Sequence, residues 1–115
     1  MPEFQVRSAQ RNQQTDRERV GSVLKALEAA LASALSERTS LALRVKNAQD
    51  LAAFAAGNDS DEYLSRAPED TKRLAAYEQQ LIAGHARIVD LDAQIASLNA
   101  VRDACHSHFP DHGAS

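Results

Sequence analysis

The 115-residue chain has no tryptophan, one cysteine, three prolines and four glycines, and aromatic residues make up only 4 % of it. Each shortage excludes something. With Cys105 alone, no disulfide can form within the chain, which removes a small disulfide-stapled scaffold and fits a reducing compartment, so the expected location is cytoplasmic. No apolar run approaches the ~20 residues that cross a bilayer, and no apolar leader stands at the N-terminus, so no membrane association is expected. Positive charge is not in excess: 13 Lys and Arg face 16 Asp and Glu, for a formal net charge of −3. That argues against general nucleic-acid binding, which needs a basic face.

Catalytic equipment is also missing. There is no glycine-rich phosphate loop, zinc-protease motif or nucleophile elbow. His85 has no Ser, Cys or acid pair placed to make it a base, and it reads as a structural histidine. Asp90 and Asp92 point to different faces of a helix, and paired-carboxylate chemistry needs a cleft. The chain is expected to be a non-enzyme with no required cofactor.

What the chain does have is alanine and period. Apolar residues make up 43 %, and much of that is Ala. Such a chain is one domain at most and buries little area per residue, so a partner or self-association would add stability. Residues 1–14 are mostly polar and read as a flexible arm. Thr15-Asp16-Arg17-Glu18 has the form of a capping box, which sets a helix start near Asp16, or earlier where a partner supports it. From there Val20, Leu24, Leu27, Leu31, Ala34, Arg38, Leu41, Val45, Ala48, Ala52 and Ala55 recur at alternating steps of four and three, a heptad seam with Arg38 its polar intruder. Gly57 is placed to end this helix in the left-handed conformation. Pro68 suits the first turn of a second helix, with Glu69 and Asp70 complementing its positive end. That helix carries its own seam: Leu74, Tyr77, Leu81, Gly84, Ile88, Leu91, Ile95, Leu98, Arg102 and Cys105.

These patterns predict an all-α fold, an antiparallel two-helix coiled-coil hairpin over 15–109. Helix 1 covers about 16–56, the tip 57–68 and helix 2 about 69–108, and 110–115 form a loose tail. Folded at the tip, the seams match: Val45 meets Leu81, Leu41 meets Gly84, Leu31 meets Ile95 and Val20 meets Cys105. Arms of ~40 residues at ~1.5 Å each would make a rod of about 60 Å. Arg38 and Arg102 either snorkel to solvent or find Asp90, Asp92 or Glu28.

One hairpin leaves apolar residues over. Leu35, Leu43 and Phe54 lie off the first seam, and Ile82, Val89 and Ala96 form a stripe at seven-residue spacing on the second helix. β-Branched residues such as Ile82 and Val89 are not chosen for helix propensity. Leu35, Leu43, Ile82, Val89 and Ala96 are therefore the candidate partner face. The expected partner is a second copy, completing a four-helix bundle, or a larger protein assembly.

Two further constellations offer alternatives. Cys105, His108 and His112 are the residue types of a soft-metal site and could link a dimer through zinc. The tip is acidic, with Asp59, Asp61 and Glu62 followed by Glu69 and Asp70. Over Gly57 to Tyr63, with Glu62-Tyr63 beside the acids, it resembles the Gre-type transcription factors, which insert a hairpin into the secondary channel of RNA polymerase. That resemblance implies a polymerase regulator acting through Asp59, Asp61 and Glu62. The chain does not reproduce the family's full acidic tip pattern, and it lacks the paired Cys-x-x-Cys motifs of the related zinc-finger regulators.

Overall fold

The computed structural model describes residues 8–58 and 68–113. They form three helices: α1 (Ala9–Asn58), α2 (Pro68–His108) and α3 (Pro110–Gly113). Asp59, Asp61 and Glu62 lie outside the described residues. Among the described residues, no helix is long and apolar enough to cross a membrane.

The start of α1 corrects the sequence reading. The helix begins at Ala9 rather than near Asp16, so 9–14 are helix and not arm. The cap is Ser8. Its Oγ accepts the Arg11 backbone N–H at 3.2 Å, and its carbonyl accepts the Asn12 N–H at 3.0 Å. That side-chain acceptor satisfies a donor that an uncapped first turn would leave open. The Gln-rich stretch that follows has good helix propensity. Its side chains also brace the next turns: Gln14 Nε2 donates to Glu18 Oε1 at 3.3 Å, and Arg19 bridges Asp16 at 3.3 Å.

Gly57 is likewise not the left-handed stop that was expected. It lies within α1, which runs on to Asn58, and no described glycine has a positive φ. Pro68 does open α2, with Glu69 and Asp70 in its first turn. At the other end His106 and His108 stand in the last turn, where positive charge would suit the helix dipole. The Phe109 N–H still donates to the Cys105 carbonyl at 2.9 Å. Pro110, with no N–H to give, then starts the single turn of α3 where a loose tail was expected.

The helices pack as an all-α helical hairpin, and the contacts divide between two compact units. One unit joins the described residues up to Ala32 with those from Ala96 onward; the other spans Ser33–Ile95. In the first unit Leu31 is buried, and Val20, Leu24, Leu27, Leu98 and Cys105 are half-buried. Arg102 reaches Glu28 at 3.6 Å, and further along Asp16 and Val20 line one hollow with Cys105 and His108, so the two stretches run antiparallel.

In the second unit the buried residues are Ala34, Val45, Ala48, Gly84 and Leu91, with Leu91 wholly enclosed. Gly84 sets how closely α1 and α2 approach. A Cβ built there would overlap Val45 Cγ2, and Leu41 Cδ1 lies 4.0 Å away. Small residues (Ala34, Ala48 and Gly84) occupy three of the five buried positions, so close approach of the backbones does the work that bulk does in a leucine-rich seam. Gly84 lies between Leu41 and Val45, in keeping with the antiparallel register read from the seams.

Candidate interaction surface

The Ser33–Ile95 unit has two flanks, and an ion pair marks each. On one flank Arg87 forks onto Glu37, with Nε to Oε2 at 2.8 Å and Nη2 to Oε1 at 3.1 Å. On the other, Arg38 forks onto Asp92 through Nε to Oδ1 and through Nη2 to Oδ2 at 3.3 Å. Glu37 and Arg38 are neighbours about 100° apart round α1, and Arg87 and Asp92 are five residues apart on α2, so the two pairs stand on opposite edges of the seam. Bidentate Arg–carboxylate geometry is the strong form of such a pair. The hydrogen bond from Arg87 holds the Glu37 carboxyl below its ordinary range, and that from Arg38 does the same for Asp92. Both arginines are pushed correspondingly up.

Arg38 thus has one of the partners considered for it. Asp90 does not pair with it and instead adds its field to Arg87. Arg102 finds Glu28, the other acid considered. The Glu37–Arg87 pair was not read from the sequence. Its signal was there, since each residue stands one position before a seam residue, Arg38 and Ile88, where charges flank the apolar line of such helices.

Leu35, Ile82 and Val89 of the proposed partner face fall on the Arg38–Asp92 flank, while Leu43, two residues from both Leu41 and Val45, stands on the side of α1 opposite the seam. Leu35 is three residues before Arg38 and Val89 three before Asp92, about 60° round the helix from each. Ile82 continues the Val89 stripe one heptad earlier, and Leu43 lies further out on α1. All four are open to solvent: Leu35 is 50 % exposed, Leu43 and Ile82 64 % and Val89 66 %. Ala42 and Ala86 add small apolar surface nearby, half-buried and exposed respectively. Ala96, the last residue of the stripe, belongs to the other unit and is also exposed. Phe54 is 70 % exposed on α1.

The unit containing the chain's C-terminal part has a different feature. A hollow of about 650 Å³ is lined by Val20, Val23, Cys105, His108 and Phe109, with Arg17 and Asp111 among its polar lining. Cys105 and His108 therefore do share a site, while the His112 side chain lies outside the described residues. Cys105 is a free, half-buried thiol. Among the described residues no group of three His, Cys, Asp or Glu is placed to hold a metal ion. Exposed Val23 and Val101 were missed in the sequence. Each precedes a seam residue by one position, Leu24 and Arg102, the same signal that marks Glu37 and Arg87.

No protein-family model matches this chain, and neither does any curated protein or solved structure.

Proposed function

We propose that this chain is a non-enzymatic, cytoplasmic protein–protein interaction module. In this reading it is a coiled-coil hairpin that self-associates into a four-helix bundle through the apolar flank of its Ser33–Ile95 unit. The observation that carries the reading is the exposure of Ile82 and Val89, each about two thirds open on the flank opposite the Glu37–Arg87 pair, with Leu43 equally open on the back of α1. Fully burying a Leu, Ile or Val side chain contributes roughly 1.5–3 kcal/mol, so covering what these residues expose is worth about 1–2 kcal/mol each. Solvation alone gives no reason to keep branched apolar residues outward at a seven-residue spacing, whereas an interface core does.

Sedimentation and light scattering of the purified chain test the reading. The wild type is expected to be a dimer or higher oligomer at micromolar concentration, and Ile82→Glu with Val89→Glu to be a folded monomer. A wild type that stays monomeric at high micromolar concentration would refute it.

A further inference from the structure

We draw no further inference here: the strongest candidate, the open hollow where the C-terminal end of α2 and α3 meet the N-terminal part of α1, sets Arg17 and Arg19 against Asp16 and Asp111 so that its charges balance and select no ligand, and nothing in the structure shows what covers its apolar wall of Val20, Val23 and Phe109.

Discussion

Gly84→Ala tests whether close approach of α1 and α2 is what organises the Ser33–Ile95 unit. On helix propensity alone the substitution stabilises, because alanine in a helix interior is better than glycine by about 0.5–1 kcal/mol. The structure predicts the opposite sign. The new Cβ would overlap Val45 Cγ2, and Val45 is buried at 7 % exposure. Valine in a helix has one strongly preferred χ1 rotamer, so its methyl cannot swing away cheaply. Overpacking of this kind costs about 1–3 kcal/mol, which leaves a net loss of up to about 2.5 kcal/mol after the propensity gain. Trimming the obstacle should reverse the effect. In a Val45→Ala background the added methyl fills vacated space, and Gly84→Ala should then stabilise, with a coupling energy of about 1–3 kcal/mol. Gly21→Ala is the control. Gly21 sits inside α1 with nothing within 4 Å of a built Cβ, so the propensity gain of about 0.5–1 kcal/mol should appear undiminished. The assay is urea unfolding followed by helical circular dichroism, at one fixed protein concentration because association shifts the midpoint by mass action. If Gly84→Ala raises the midpoint as Gly21→Ala does, Val45 does not limit the approach and the packing account is wrong.

Further expectations follow from the ion pairs and from the other glycine. Glu37 and Asp92 are held below their ordinary values of 4.5 and 3.8 by Arg87 and Arg38. A depressed carboxylate contributes stability that is complete above its unfolded value and is lost as pH falls through the folded one. Melting temperature should thus be level near neutrality and fall below about pH 4.5, and Glu37→Gln with Asp92→Asn should flatten that fall in a melt series from pH 7 to pH 3. These pairs are solvent-exposed, so the neutral-pH advantage of wild type over Glu37→Gln should shrink when salt is raised from 0.05 to about 1 M, where the screening length drops to roughly 3 Å. Gly57→Ala is expected to stabilise by about 0.5–1 kcal/mol in the same urea assay, since Gly57 is helical with open space around its Cβ position; a loss would restore the left-handed cap that the sequence suggested.

The seams were legible in the sequence to the residue. Every seam position named from the heptads, from Val20 to Ala55 and from Leu74 to Cys105, is buried or half-buried. The reason is geometric: a repeat of alternating threes and fours keeps one side of a helix facing its neighbour whatever that neighbour is. The register read by folding at the tip set Gly84 against Leu41; the structure seats it between Leu41 and Val45, with Val45 the nearer. The α1 start was misread because Thr15 to Glu18 satisfies a capping rule that Ser8 satisfies earlier, and local capping chemistry does not say which of two caps a chain uses. Gly57 was misread for a related reason: glycine permits the left-handed conformation without imposing it. Ion pairs were half legible. Arg38 was read as snorkelling or finding an acid; which of these, and whether Asp90 or Asp92 supplied the acid, depended on which edge of α2 each faces, and that follows only once the register is fixed.

The two flanks of the Ser33–Ile95 unit suggest where function lies. On one flank Glu37 and Arg87 satisfy each other inside a single chain, so a partner covering them meets no loose charge, and Leu51 and Phe54 are the exposed apolar residues on that side. On the other flank Arg38 and Asp92 are just as closed, but Leu35, Ile82 and Val89 beside them are not. Exposed arginine–carboxylate pairs contribute little to affinity and much to orientation, whereas apolar side chains two thirds open contribute to affinity and little to orientation. A surface that combines a closed charge pair with open Leu35, Ile82 and Val89 has apolar area for a partner to cover and a fixed charge pattern beside it. On the opposite flank Leu51 and Phe54 stand exposed further along α1, but the Glu37–Arg87 pair itself is closed, so Glu37→Gln should alter the pH and salt dependence of folding while leaving the oligomeric state unchanged.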